Sequence, residues 1–316
     1  MKILFSHSRT SLFYSLKLLE LKKGDKILIP DYNCESFMLV IKNLSIEYKT
    51  YPINLNLSVN INKLEKKITK KVKAILVVNY FGITKDLLLI SDICKKKKIL
   101  LINDNAHGAT GKIKKKNIIE YGDLGFESYH KIFNNIESLS VLSINNKMIK
   151  KKLNNLKLPT IRIKKNYQKW YFMFKNIIKF ILFKKLRIKK YINENDNDYR
   201  LYKFLPSNYD IETYKNINFH RENLNRKKII RSVKKFIYKF KLKSLRTNLD
   251  DSSIMWYYPV MINDTTKINF IGYLKSKHIP FIRWPKLPFI LKTNKNNLIK
   301  KKIICLPLDH NYYEHI

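Results

Sequence analysis

Asp104, His107, Asp123, Ser128, His130 and Lys131 crowd into one window of the chain, with four of its seven glycines, Gly108, Gly111, Gly122 and Gly125. In a chain so poor in glycine, that clustering marks backbone turns or close approaches that a Cβ would obstruct. Asp104 directly follows the apolar run ILLIN, and Lys131 follows the next strand-like run, LGFESY. Both are therefore expected on the rim of a sheet, at the carboxyl ends of neighbouring strands. An acid and a lysine so placed suit a cofactor with a pyridine ring. The carboxylate keeps the ring nitrogen protonated, and the amine bonds covalently to the cofactor. Each residue also has a plainer reading: Lys131 as one surface lysine among many, Asp104 as a helix N-cap, His107 as a loop histidine bonded to backbone. No Cys/His metal spacing, Ser/His/Asp triad signature, P-loop or GxGxxG accompanies them, so no metal is expected.

The elements that must position these residues are legible in the first 146 residues. KILIP (26–30), IEYKTYPI (46–53), KAILVVNYF (73–81), KILLIND (98–104) and LGFESY (124–129) are short, rich in Ile, Leu, Val and aromatics, and bounded by polar or Gly/Pro signals. Helical spacing fills the gaps at 9–22, 34–43, 60–69 and 85–97. This alternation predicts an α/β fold, a mostly parallel sheet sandwiched by helices, whose ligands bind at the carboxyl ends of the strands. Residues 147–250 read as a helical, basic connecting segment without glycine, and 251–316 as a small C-terminal α+β domain built on MWYYPVMI, a helix near 265–277, IPFIRWP and IICLPL.

The formal net charge is +40, from 64 Lys and Arg against 24 Asp and Glu. Such a charge invites a nucleic-acid or acidic-membrane reading. The lysines, however, are spread along the whole chain among abundant Asn and Ile, in runs such as KKKK (95–98) and NKNN (294–297), rather than gathered in one basic arm. A solvated surface is the preferred reading, with no nucleic-acid partner. The stretch 169–191, KWYFMFKNIIKFILFKKLRIKKY, suits either an interfacial helix on an anionic membrane or, preferred here, a helix buried between domains or protomers. No apolar run reaches the roughly 18 residues of a spanning helix, and the start of the chain lacks a signal-peptide core, so a cytoplasmic protein is expected. The three cysteines, Cys34, Cys94 and Cys305, are too few and too scattered for a disulfide framework.

Six stretches, in order, resemble the DegT/DnrJ/EryC1/StrS sugar aminotransferases, which have the type I pyridoxal-phosphate fold. They are LKKGDKILIPDYNCES (21–36), KAILVVNYFG (73–82), LLINDNAHGATGK (100–112), YGDLGFESYHK (121–131), IPFIRWP (279–285) and IICLPLDHNY (303–312). The resemblance implies pyridoxal 5'-phosphate as cofactor, with Asp104 paired to the pyridine nitrogen and His107 over the ring near its phenolic oxygen. Ser8 and Arg9, at the start of the first helix, would hold the phosphate with Ser128. Lys131 would bond the cofactor and move the proton between substrate and cofactor. Arg283 and Trp284 would stand near the substrate mouth.

The resemblance further implies a homodimeric aminotransferase that takes an amino group from glutamate and passes it to a nucleotide-linked keto sugar for surface polysaccharide. The chain departs from the main pattern in three places. Its lysine comes three residues after Ser128, where the main pattern has it five after, at Phe133; a related subset with an SxRK-like motif is closer, with His130 for the Arg. Ser138 and Leu139 replace a Gly-Gly pair, and Cys34 stands where an aromatic often stacks. These departures keep open a relative that binds the cofactor for another reaction, or serves as an inactive scaffold. A basic nucleic-acid or membrane-surface protein is the third reading.

Overall fold

The computed structural model describes residues 1–163, 204–245, 253–309 and 312–313. Seven strands form the central sheet: β1 (Lys2–Phe5), β2 (Lys26–Pro30), β3 (Tyr48–Tyr51), β4 (Val72–Val78), β5 (Leu100–Asn105), β6 (Leu124–Ser128) and β7 (Ser140–Ile144). Their order across the sheet is β1-β7-β6-β5-β4-β2-β3. Every neighbouring pair from β3 to β6 is parallel; β7 runs antiparallel to both β6 and β1.

The sheet is buried on both faces, which is why its strands read as continuous apolar runs. Along β2 and β4 the faces alternate. Ile27, Ile29, Ala74 and Leu76 pack in one core with α1 (Ser8–Leu18) and α2 (Glu35–Asn43). Leu28, Ile75 and Val77 pack in the other, with α3 (Leu87–Lys97) and the C-terminal half of the chain. Gly125 lies where the chain passes closest. A Cβ there would stand 2.1 Å from the carbonyl oxygen of Ile119, so Gly125→Ala must push two backbones apart. Denaturant unfolding is expected to show a loss of about 3 kcal/mol.

Beyond β7 come α4 (Asn208–Lys215) and α5 (Phe219–Lys239). Ile229, Ile230, Val233, Phe236 and Ile237 of α5 are buried at helical spacing, while Lys228, Arg231, Lys234, Lys235 and Lys239 are exposed. Much of this helix's basic charge is thus a solvated face. The buried stripe packs with Tyr258, Val260, Phe270 and Leu274. These belong to a three-stranded antiparallel sheet, β8 (Lys243–Ser244), β9 (Tyr257–Met261) and β10 (Ile303–Pro307), and its helix α6 (Asp264–Ser276); α7 (Asn294–Lys302) leads into β10.

IPFIRWP, expected as a strand, makes only an isolated bridge at Ile282 to Cys305. Its prolines withhold ladder donors, and the Trp284–Pro285 peptide is cis. The helix expected over 60–69 is confined to Ile61–Glu65. The stretch 169–191 lies outside the described residues, and among those described no helix is long and apolar enough to cross a membrane.

Candidate functional site

Asp104, His107 and Lys131 come together above the carboxyl ends of β5 and β6. Asp104 is buried, and its Oδ1 accepts a hydrogen bond from the Ala106 N–H at 2.9 Å, turning the chain sharply off the strand. Burial pushes its carboxyl up to about 6, against the opposing pull of that N–H and of the Lys131 charge. The same ammonium acts on His107. Two positively polarising groups face one carboxyl, and neither cancels its desolvation.

His107 is buried in an aromatic box. Its ring meets Trp284 edge-on at 4.4 Å and lies 5.0 Å from Trp256 and 5.4 Å from Phe81. Nδ1 accepts a long hydrogen bond from the Phe81 N–H at 3.4 Å, which leaves the proton on Nε2. Burial and the Lys131 charge hold the imidazole well below its ordinary range, so it is neutral. The backbone is fixed as well. The His107 carbonyl accepts from the Trp256 N–H at 3.0 Å, and Gly108–Ala109 pairs antiparallel with Ile254–Met255.

Lys131 sits in a tight turn after β6, in which the N–H groups of Ile132 and Phe133 both bond to the Tyr129 carbonyl. Tyr129, Ile132, Phe133, Ile136 and Leu139 form a small core with Ile254; Phe133 is there as a packing residue, not at the site. That anchoring leaves Lys131 half-buried, its Nζ 4.9 Å from the centre of the Trp256 ring, a cation–π contact. Arg226 of α5 pins the same turn, donating to the carbonyls of Ile132 at 2.9 Å and Leu308 at 2.7 Å. Arg226→Ala strands both buried carbonyls. A stability loss of about 3 kcal/mol is expected on denaturant unfolding, with faster amide exchange through 129–136.

The start of α1 lies beside this group. Ser8 and Arg9 are its first two residues, where backbone N–H groups lack intrahelical partners. The helix is tied to β7 by the Ser11–Ser140 hydroxyl pair at 2.8 Å. The His7 ring lies 5.0 Å from that of His130, and Nδ1 of His130 is 3.1 Å from the Ser128 Oγ. Arg9 and Lys131 both act electrostatically on His7 and His130. Of the two residues expected at the substrate mouth, Trp284 is in the site, against His107; Arg283 follows Ile282 on the same loop, and its charge acts on Lys300 of α7.

Sequence reasoning missed Trp256, His7 and a polar ladder under the site. Asn79 Nδ2 donates to Asn103 Oδ1 (2.8 Å) and Asn105 Oδ1 (3.3 Å); Asn105 Nδ2 and the Tyr129 hydroxyl donate to the two oxygens of Glu127. Burial pushes the Glu127 carboxyl up to about 7 despite those donors. The recurrence of Asn103, Asn105 and Glu127 at alternate positions near strand ends was the signal that could have found them, because β5 and β6 pair Asn105 with Glu127.

A family model described as the DegT/DnrJ/EryC1/StrS aminotransferase family matches residues 3–175. Among curated proteins, GDP-4-keto-6-deoxy-D-mannose 3-dehydratase of Yersinia pseudotuberculosis is 28% identical over 125 residues, 38% of this chain and 32% of that protein. GDP-perosamine synthase of Vibrio cholerae is 23% identical over 129 residues, 39% of this chain and 34% of that protein. The match thus spans about a third of the length of these curated relatives. Among solved structures, the aminotransferase TlmJ from Streptoalloteichus hindustanus superposes with a TM-score of 0.70 at 14% identity, over 99% of this chain and 82% of that one. The E. coli GDP-4-keto-6-deoxy-D-mannose-3-dehydratase with bound hydrated PLP gives 0.68 at 17% identity, over 99% and 85%. These likenesses show the fold, the type I pyridoxal-phosphate transferase architecture that the family resemblance implied and with which the mostly parallel sheet agrees. With its match running from β1 past β7, over more than half of its length, the chain belongs to the DegT/DnrJ/EryC1/StrS aminotransferase family.

Proposed function

We propose that this protein is a pyridoxal 5'-phosphate-dependent aminotransferase that transfers an amino group from glutamate to a nucleotide-linked keto sugar, as a cytoplasmic homodimer serving surface polysaccharide synthesis. The observation that carries the reading is the meeting of Asp104, His107 and Lys131 in one buried region of this fold. The residues fit the cofactor. A desolvated carboxyl whose burial outweighs the charge near it suits a protonated pyridine nitrogen. A neutral imidazole suits the face and phenolic oxygen of the ring. The buried His7 Nδ1, which has no hydrogen-bond partner among the described residues, stands at the helix start where Ser8, Arg9 and Ser128 would hold the phosphate.

When bound, the cofactor supplies the electron-accepting ring that acidifies the carbon next to the amine. The chain's own groups do the rest. Asp104 would keep the pyridine nitrogen protonated, and the neutral imidazole of His107 would help to orient the ring. Lys131 would carry the proton on and off the substrate carbon. Trp256 and Trp284 wall the lysine and the imidazole from water. In this arrangement residues 1–146 would carry the cofactor and the C-terminal sheet, with α5 packed on it, would border the site, with Arg283 and Trp284 at the mouth.

The Yersinia 3-dehydratase and the Vibrio perosamine synthase both carry GDP sugars in their names, which supports a sugar nucleotide here. The test is to incubate the protein with pyridoxal phosphate, glutamate and a set of nucleotide-linked keto sugars, and to identify products by mass spectrometry. An aminated sugar nucleotide is the expected product. A sugar nucleotide lighter than its substrate by one oxygen atom and without an added amine, formed with release of ammonia and 2-oxoglutarate, assigns the chain to the dehydratase chemistry; no turnover with the cofactor bound assigns it to the scaffold reading.

A further inference from the structure

The start of α1 is built unlike an ordinary helix cap. His7 occupies the N-cap position in extended backbone, φ −144° and ψ 156°, yet its side chain makes no capping hydrogen bond. Its Nδ1 is instead shut away from solvent with no hydrogen-bond partner among the described residues. A buried polar atom left unpaired destabilises the fold, so its retention calls for a ligand that the folded chain does not itself provide.

The surroundings say what that ligand is. His130 stands 5.0 Å from His7, ring to ring, and is 3.1 Å from the Ser128 hydroxyl. Arg9 of α1 and Lys131 of the turn after β6 each bring positive charge to both histidines; His130 is also hydrogen-bonded to the Leu139 backbone. Against these stands one carboxylate, Asp210 of α4, whose field reaches His7 and which takes hydrogen bonds from Ser138, Ser207 and the Glu137 N–H. Burial and the two cations keep His7 neutral down to about 4 and hold His130 well below its ordinary range. An anion carrying two negative charges, set among these groups at the positive end of the helix, reverses the balance and favours the imidazolium form.

We infer that His7 and His130 form, with Ser128 and the first turn of α1, a binding corner for a phosphate-type dianion that takes up a proton as the dianion enters. This rests on the reading that the cofactor's phosphate sits at this end of the site. It adds that one of two histidines supplies a charged N–H only when the phosphate is present. Cofactor affinity is therefore pH-dependent through a group remote from the reacting atoms.

Sulfate is the probe, because it remains a dianion throughout the neutral range and cannot carry the proton itself. Binding to the full chain is measured by calorimetry at constant ionic strength, between about pH 5 and pH 8, in buffers of different ionisation enthalpy. Displacement by pyridoxal phosphate identifies the site. In the window above the free-site value of about 4 and below the value in the complex, affinity is expected to fall about tenfold for each unit of rising pH, with close to one proton taken up per sulfate. The variant H7N/H130N keeps amide donors and is expected to bind sulfate with no pH slope; each single variant shows which ring takes the proton. Ring-nitrogen shifts of histidine-labelled wild-type protein, moving to the imidazolium pattern on sulfate addition, give the answer without substitution. Binding with no pH slope in the wild type, or an equal slope in H7N/H130N, overturns the inference. A missing visible band with pyridoxal phosphate sinks the cofactor reading instead and leaves the sulfate result standing.

Discussion

Purified protein mixed with pyridoxal phosphate is expected to show a visible absorption band that Lys131→Ala abolishes, together with a fall in transamination of about 10⁴-fold or more. The expectation rests on how the lysine is held. The paired hydrogen bonds from Ile132 and Phe133 to the Tyr129 carbonyl close the turn, and Phe133 stacks on Tyr129 with ring centroids 6.0 Å apart. Tyr214 and Phe219 pack edge-on against Tyr129. This aromatic block fixes the turn that carries Lys131 and so aims the amine. Its Nζ lies over the face of Trp256, 4.9 Å away, a contact that orients a cation and leaves the lone pair free once the amine is deprotonated. Lys131→Arg separates the two roles of the residue: it keeps the positive charge felt by Asp104 and His107, but it cannot bond the cofactor. Loss of the band in both variants assigns the covalent role to Lys131; a band that survives in either one removes it from that role.

The same residues show what could be read before the structure and what could not. Asp104 and Lys131 were legible because each follows an apolar strand, and a parallel sheet delivers strand ends to one rim. The strands β2, β4, β5 and β6 were legible for the same reason, being buried on both faces. β7 was not: its sequence SVLSI places Ser140 and Ser143 inside the protein, where hydrogen bonds to Ser11, to the Glu127 carbonyl and to Asn145 satisfy them. Hydrophobic patterning does not register a polar residue that is buried and paired. Trp256 was missed because it reaches His107 only through the antiparallel pairing of Ile254–Met255 with Gly108–Ala109, a contact between distant parts of the chain. His7 and His130 likewise meet only because α1 packs across β6 and β7. The polar ladder of Asn79, Asn103, Asn105 and Glu127 is a further case: each member alone looks like a loop or surface residue.

Asp104→Asn is expected to make the cofactor-free protein more stable while destroying its chemistry. The carboxyl of Asp104 titrates near 6 in the folded chain, against an ordinary 3.8, because burial outweighs the Ala106 N–H and the Lys131 charge. Between those two values the folded state binds more protons than the unfolded state, so stability falls as pH rises through that window. Above it the whole penalty is present, about 3 kcal/mol at 1.36 kcal/mol per unit. Asparagine keeps an Oδ1 to accept the Ala106 N–H and carries no charge. Urea unfolding of the cofactor-free variant should therefore show a gain of about 2–3 kcal/mol at pH 8 that vanishes by about pH 4. In the same variant the pyridine nitrogen loses its carboxylate, and the rate of transamination should drop by about 10³-fold. The two effects belong together: a carboxyl that disfavours the empty fold is retained where a bound cation can offset its desolvation, and a protonated pyridine ring is such a cation. Equal stability of variant and wild type at pH 8 would mean that Lys131 already compensates the carboxylate in the empty protein. Asp104 and Lys131 would then be an ion pair of the fold first, and the cofactor would have to break that pair in order to bind.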